Sequence, residues 1–353
     1  MRMNLQNRFL PVIMVLFVLK AGLVAGQSPA TILQGYKNFE LLQADGKTQV
    51  LVCKNKDGKP RPTIIFITGS GFLPLFINGG FYGMPFNVFQ YLDRYNFAVV
   101  SKPGIPVFDD STANPNLNRS FPQGFYLDSL GRVPATFIRQ NNRGQYVRDH
   151  QAAMRMLAKQ PWVIKDSFIL VAHSQGTKVA TSLALAEKRV KQVVLMSPGD
   201  PTNRFRQFTA EVRRNESYGM LTAQEARQKL DSIYTRHREL VAHKNDKEGL
   251  YDSGTSYYGY YSYVYPTLVE SAPKLKQRVL VLYGTAGATD IDCDNLPLVL
   301  ARAGCTNITV RPYAGYDHNY FENVVDGEGH VTDRKFHWND VAADVMAWLD
   351  AKR

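Results

Sequence analysis

Cysteine is scarce in this chain: 353 residues carry only Cys53, Cys293 and Cys305. Three cysteines cannot build a disulfide framework, and their odd number leaves at least one thiol free. At most one bridge can form in an oxidising compartment. Cys293 and Cys305, which bracket a predicted helix, are the better placed pair. No H-E-x-x-H pattern occurs, and no cysteine stands in a metal-binding or nucleophilic motif, so neither a metal nor a cofactor is expected. The formal net charge is +11, yet no run of five or more basic residues and no nucleic-acid-binding motif is present. The charge therefore reads as a solvated basic surface, and nucleic acid is not an expected partner. Internal repeats and low-complexity tails are missing as well.

Long apolar runs are equally rare. The stretch Leu10–Leu19 is almost wholly apolar, but it is short for a membrane span and Lys20 ends it. Arg2 and Arg8 precede it, and the small residues Ala21, Gly22, Ala25 and Gly26 follow. A positive start, a short apolar run and small residues describe a secretory signal peptide over 1–26. Cleavage after Gly26 would leave Val24 and Gly26 at the small-residue positions, and no nearby cysteine offers a lipid attachment point. The expectation is a secreted or periplasmic protein with no stable membrane insertion after cleavage; an uncleaved anchor is the alternative.

What is present is a 44% hydrophobic, 21% charged chain, enough to build a substantial core. Short β-rich runs alternate with helical patterns, the signature of a mainly parallel sheet flanked by helices. The predicted strands are Gln49–Lys54, Thr63–Thr68, Ala98–Lys102, Phe168–Ala172, Gln192–Ser197, Arg278–Tyr283 and Ile308–Arg311. Several are apolar throughout, as strands buried on both faces are. Helices are predicted over Pro85–Tyr95, Arg143–Lys159, Gln175–Lys188, Leu296–Ala303 and Trp338–Lys352, with Val147, His150, Met154 and Leu157 on one face of the second. Gly104–Asn142, rich in Pro, Asn and Gly, reads as an irregular surface loop. Residues 198–276 interrupt the alternation with a charged helical part and then Tyr251, Tyr257, Tyr258, Tyr260, Tyr261, Tyr263 and Tyr265. They read as a helical, Tyr-rich cap inserted between core segments 27–197 and 277–353, over the sheet edge where open α/β sheets bind ligands.

The segment Phe168–Thr177 carries the strongest chemical signal. An apolar run ends in Ala172-His173-Ser174-Gln175-Gly176, and a helix follows. This is a nucleophile elbow with alanine in place of the first glycine of G-x-S-x-G. A serine hydroxyl is a weak nucleophile and must stand clear of the sheet within reach of a base. The turn that achieves this is crowded, so the residues two before and two after the serine must be small.

A base should follow the last strand. His318, in Tyr313-Ala314-Gly315-Tyr316-Asp317-His318, occupies that place. His173 adjoins the serine but points elsewhere in such a turn; His150, His237 and His243 fall on predicted helices, and His330 and His337 have no predicted strand before them. The orienting acid should come from the loop after Arg278–Tyr283, which holds Asp290, Asp292 and Asp294. Asp290 is preferred because it precedes the helix; Asp292 is the rival, and Asp294 reads as a helix N-cap. Oxyanion donors should be the backbone N–H of Gln175 and one from Ser70 or Gly71, in the Gly-containing loop after Thr63–Thr68. That loop matches neither dinucleotide nor P-loop fingerprints.

Ser174, Asp290 and His318 in that order, with a Gly-rich loop after an early strand, resemble the α/β-hydrolase superfamily over about residues 40–350. The resemblance implies the α/β-hydrolase fold, Ser174 as nucleophile, His318 as base and Asp290 as orienting acid. It also implies hydrolysis of a small-molecule ester, thioester or amide through an acyl-enzyme. A peptidase or an acyltransferase would use the same triad, and a non-catalytic ligand-binding protein on the same fold is the reading from another class. Tyr257, Tyr258, Tyr260 and Tyr261 are expected to line the substrate pocket from the cap, with packing as their alternative role.

Overall fold

Valine- and isoleucine-rich segments that must leave water on both faces collect in the middle of one eight-stranded sheet. In the computed structural model, residues 35–351 are described apart from 44–45, 78–79, 110–125, 129, 253, 288 and 329. The predicted signal peptide over 1–26 lies outside the described residues. The strands are β1 (Lys37–Gln43), β2 (Gly46–Cys53), β3 (Arg61–Ile67), β4 (Asn96–Val100), β5 (Val163–His173), β6 (Val190–Met196), β7 (Arg278–Gly284) and β8 (Ile308–Tyr313). Their order is β1-β2-β4-β3-β5-β6-β7-β8. Pairing is parallel from β4 through β8, while β2 runs antiparallel to β4 and to β1.

Alternation along each strand supplies two cores. Ile65, Leu170, Val193 and Val281 face one side with Ala153, Met154 and Leu157 of α2 (Arg143–Leu157) and Val179 and Leu183 of α3 (Gly176–Ala186). Ile64, Ile169, Val194 and Leu280 face the other with Trp338, Val341 and Val345. Each such buried aliphatic side chain stabilises the fold by about 1.5–3 kcal/mol. This doubly covered sheet is the α/β-hydrolase architecture expected from the sequence.

Several local expectations need correction. Pro85–Tyr95 forms only a 3₁₀ turn, Val88–Tyr91. Val88, Tyr91 and Leu92 are buried as one face of a helix would be, and the chain continues past Tyr91 as a turn, closed by the Arg94 and Tyr95 N–H groups on the Tyr91 carbonyl, before β4 starts at Asn96. Gly104–Asn142 is more than a surface loop. Ile105 and Phe137 are buried, Phe137 lies in the short helix α1 (Ala135–Gln140), and its ring sits 4.4 Å from that of Phe72 in the loop after β3. Pairing with a buried aromatic decides this, and local Pro/Gly composition does not register it. β1 has no counterpart among the predicted strands, because its mixed pattern depends on pairing with β2. Nor does the antiparallel hairpin β9 (Phe321–Val325) and β10 (Val331–Phe336), which places a strand before His337. Asp294 does not cap the following helix: its carboxylate accepts from the Tyr283 hydroxyl, and Asn295 stands at the N-cap. All three cysteines are free.

Between β6 and β7 the inserted segment has its own small core. Phe205 and Val212 of α4 (Arg204–Ser217) meet Ala226, Leu230 and Ile233 of α5 (Ala223–Ala242) and Val264 of α6 (Tyr257–Val264). Thr222 and Glu225 form a capping box that starts α5. Arg143, at the first turn of α2, fastens the insertion to the sheet domain by donating to the carbonyls of Ser262, Tyr265 and Pro266. The C-terminal helix α7 (Trp338–Asp350) closes the second core. Among the described residues no helix is long and apolar enough to cross a membrane.

The Phe72–Phe137 contact gives a direct test of the corrected segment. Phe137→Ala is expected to cost about 3–5 kcal/mol in chemical denaturation, as a fully buried ring does. A loss below about 0.5 kcal/mol, the usual effect of a surface change, would return the segment to the status of a solvated loop.

Candidate active site

The turn between β5 and α3 is built by exclusion. Ser174 stands between them at φ +54°, a region that non-glycine residues rarely enter. Its N–H donates to Met196 O at 2.9 Å, and its carbonyl accepts from the Thr177 N–H and hydroxyl, so both ends of the strained residue are held. Gly176 is required for a different reason. A Cβ there would lie 2.3 Å from Ile67 O and 2.7 Å from Thr68 O, because α3 starts directly against the end of β3. Ala172 is completely buried, which leaves room for little more than a methyl group.

A continuous hydrogen-bonded chain leads away from the serine. Ser174 Oγ lies 2.9 Å from His318 Nε2, and His318 Nδ1 lies 2.8 Å from Asp290 Oδ2. A carboxylate only accepts, so Nδ1 carries the proton and Nε2 is left free to accept the serine hydroxyl. Asp290 is 1% exposed, and its other oxygen accepts the Gly199 N–H at 3.0 Å. The Thr289 hydroxyl also reaches within 2.9 Å of His318 Nδ1. Gly287 allows this crowding, since a Cβ there would sit 2.8 Å from Asp290 Oδ2. Asp292 points away: it accepts from the Thr202 hydroxyl and pairs with Arg206 at 3.6 Å.

The loop carrying His318 has its own tie. Asp317 accepts the N–H groups of Asn319 and Phe321 at 2.8 and 2.9 Å and forms an ion pair with Arg334 of β10. The hairpin that the sequence reading missed thus orders the loop of the base.

Two further residues touch the site. The His173 ring lies 5.1 Å from the His318 ring, and its Nε2 donates to the His318 carbonyl at 3.0 Å. Its ring meets Trp338 edge-on at 5.1 Å. Burial, with the His318 ring adding to it, pushes the His173 imidazole down to about 3, so it stays neutral near pH 7. Lys102, just past β4, is buried and donates from Nζ to the carbonyls of Gly69 and Gly71. Burial pushes its amine down to about 7. The peptide planes follow from those bonds: in a trans peptide the N–H opposes the C=O, so Lys102 turns the Ser70 N–H away from itself. Gly69 brings this loop against the nucleophile, since a Cβ there would lie 3.1 Å from Ser174 Cβ. Gln175 opens α3 directly after the serine. A lysine at the end of an apolar strand was the only sequence signal for Lys102.

The cap tyrosines go elsewhere. Tyr257 bonds Glu239 of α5 and meets Tyr251 edge-on at 5.3 Å; Tyr260 lies 4.4 Å from Tyr251; Tyr261 lies 5.1 Å from Tyr265; Tyr258 lies under Lys247. None of the four lines the apolar cleft of about 150 Å³ next to the Gly69 loop. Tyr257, Tyr260 and Tyr261 pack against the insertion's own core, whereas Tyr258 meets Lys247.

Residues 130–323, more than half the chain and inclusive of Ser174, Asp290 and His318, match the family described as serine aminopeptidase, S33. Among solved structures the chain is similar to a 2,6-dihydroxy-pseudo-oxynicotine hydrolase, at 13% identity and a TM-score of 0.47, covering 80% of this chain and 62% of that one. It is also similar to dipeptidyl peptidase 4 from Porphyromonas gingivalis, at 11% identity and a TM-score of 0.48, covering 90% and 35%. A third is the α/β hydrolase GrgF from Penicillium sp. sh18, at 12% identity and a TM-score of 0.48, covering 89% and 96%. The chain thus spans less than two thirds of the first of these and about a third of the second. No curated protein sequence matches it.

The two aspartates separate cleanly by experiment. Asp290→Asn is expected to lower the rate of fluorophosphonate labelling or activated-ester turnover by up to about 10⁴, since it unsettles both the tautomer and the imidazolium. Asp292→Asn is expected to cost less than about tenfold, because that side chain serves Thr202 and Arg206. The reverse order in measured kcat would assign the acid to Asp292.

Proposed function

The chain belongs to the serine aminopeptidase S33 family of α/β hydrolases, and we propose that within it this protein is a carboxylic ester hydrolase working through an acyl-enzyme. The observation that carries this reading is the unbroken chain from Ser174 Oγ through His318 to the buried Asp290. As Ser174 Oγ attacks the carbonyl carbon, His318 Nε2 takes its proton, and Asp290 stabilises the imidazolium. The developing oxyanion faces the Gln175 N–H and the N–H of Ser70 or Gly71; each such donor contributes about 3 kcal/mol to the transition state. His318 then protonates the departing alcohol, and afterwards takes a proton from the water that releases the acid.

Cleavage of a peptide amide is the second reading, favoured by the family's description. An aminopeptidase must hold a positive substrate amine, and an opposing carboxylate is the ordinary partner for one. The described lining of the cleft next to the Gly69–Gly71 loop contains no Asp or Glu. Asp290 is committed to His318, and Asp317 to Arg334. Uncharged acyl groups suit such surroundings better. Export rests on residues 1–26 of the sequence alone.

Ser174→Ala is expected to abolish fluorophosphonate labelling and p-nitrophenyl ester hydrolysis while leaving the circular dichroism spectrum unchanged. Retained turnover above a few per cent would remove Ser174 from its role. Faster turnover of aminoacyl p-nitroanilides than of matched esters by the wild-type protein would favour the peptidase reading. Mass spectrometry of protein exported by its native host should find Gln27 at the N-terminus; an intact Met1 in the membrane fraction would instead establish an anchor.

A further inference from the structure

We propose that Lys102 is a positioning residue for catalysis: by holding the Gly69 carbonyl it aims the Ser70 N–H at the developing oxyanion and strengthens it as a donor. The proposal rests on the acyl-enzyme reading above. It goes beyond that reading by choosing Ser70 over Gly71, and by giving a charged side chain outside the triad a part in the transition state.

The register of the sheet brings the two residues together. Phe66 of β3 pairs with Val99 of the parallel strand β4. Gly69 and Lys102 each stand three residues further along, so both leave the sheet at the same level. The backbone of Lys102 is fixed there. Ser101 exchanges hydrogen bonds with the backbone of Gln49 in β2, and the Lys102 carbonyl accepts the Ile105 N–H at 3.1 Å. From this anchor the amine donates to the carbonyls of Gly69 and Gly71.

Those two bonds set two peptide planes. In a trans peptide the N–H opposes the C=O. The bond to Gly69 therefore turns the Ser70 N–H away from Lys102, and the bond to Gly71 turns the Phe72 N–H likewise. The Gly71 N–H belongs to the peptide between them, and the Lys102 bonds fall on the peptides either side of it. Ser70 also directly follows the point of contact with the elbow. A Cβ on Gly176 would lie 2.7 Å from Thr68 O, and one on Gly69 would lie 3.1 Å from Ser174 Cβ. The chain leaving β3 thus runs along the nucleophile's turn as far as Gly69, and Ser70 comes next.

Charge adds to orientation. A cation on the Gly69 oxygen polarises that peptide, which makes the N–H at its other end a stronger donor. Lys102 is 8% exposed, and burial is the single influence on its amine, pushing it down to about 7. With no carboxylate offsetting that shift, the charge is directed into the two carbonyls.

Sulfur substitution in the substrate isolates this role. p-Nitrophenyl acetate presents oxygen to the oxyanion donors; its thiono counterpart presents sulfur, a poor hydrogen-bond acceptor. The readout is the ratio of their kcat/KM values, in which the folded fraction of the protein cancels. Because loss of one donor costs about 10²–10³ in rate, the wild-type protein is expected to favour the oxygen ester by at least about tenfold. Lys102→Met keeps the length of the side chain without its charge or donors. It is expected to lower kcat/KM about 10- to 100-fold for the oxygen ester and less than about threefold for the thiono ester. Equal losses on both esters, or no loss on either, would overturn the proposal while the acyl-enzyme reading stands.

The pH dependence of the same ratio tests the unaltered protein, whether or not the variant folds. Ionisation of His318 affects both esters alike and cancels. Tyr82 and His173 share the surroundings of Lys102 on the cleft side, and Tyr146, Asp149 and His150 on the other. Burial pushes the two imidazoles down, to about 3 for His173 and about 4 for His150, and the two phenols up, so these four stay uncharged near pH 7. The ratio is therefore expected to be high while Lys102 is protonated and to fall at least about threefold as the pH rises through about 7. A ratio that stays flat there would overturn the proposal. Failure of the wild-type protein to cleave either ester, with Ser174 also unlabelled by fluorophosphonate, would overturn the acyl-enzyme reading and this proposal with it.

Discussion

Ser174 is held in a left-handed backbone conformation, and the arrangement around it follows from that constraint. Such a residue costs about 1–3 kcal/mol and persists only where its surroundings over-determine it. The surroundings here are the Met196 carbonyl on one side, Thr177 on the other, and the packing of Gly176 against the carbonyls that end β3. Two other described non-glycine residues have positive φ, Ser197 and Tyr320. Ser197 follows β6 and leads to Gly199, whose N–H holds Asp290; Tyr320 lies two residues past His318. Backbone strain is therefore concentrated at the three strand ends that deliver or support the nucleophile, the acid and the base.

Burial decides which polar groups act and which merely hold. Asp290 is fully enclosed yet satisfied on both oxygens, so its charge is directed at one imidazole. His173 is enclosed too, but its partner is a carbonyl and its proton affinity falls, leaving a neutral brace under the His318 loop. Lys102 braces the Gly69–Gly71 segment from the opposite side. One histidine and one lysine thus fasten a Gly-rich turn and the base-carrying loop to the ends of the sheet.

The insertion and the hairpin have different parts in this design. The insertion packs Tyr257, Tyr260 and Tyr261 into its own core and is pinned through Arg143. The hairpin β9–β10 lies beside the triad, orders the His318 loop and lines the apolar cleft.

Most of the sheet and the order of the triad were legible in the sequence. The strands are buried on both faces, so they read as apolar runs. The elbow's demand for small residues at 172 and 176 is local and survives in the sequence. Asp290 could be preferred over Asp292 from position, but which carboxylate turns toward His318 depends on Gly199 and Gly287, which are distant in the chain or informative only once folded. The tyrosine cluster shows the limit most clearly: composition registers aromatic rings but not the surface they meet, and α5 supplied that surface. Lys102, His173 and the Asp317–Arg334 pair were beyond sequence reasoning for the same reason. The sequence by itself determined the periodicity, the sheet class and the elbow, because those are set by neighbours in the chain. Tertiary structure alone decided the bracing of the loops, the destination of the tyrosines and the cleft, because each depends on groups that only the folded chain brings together.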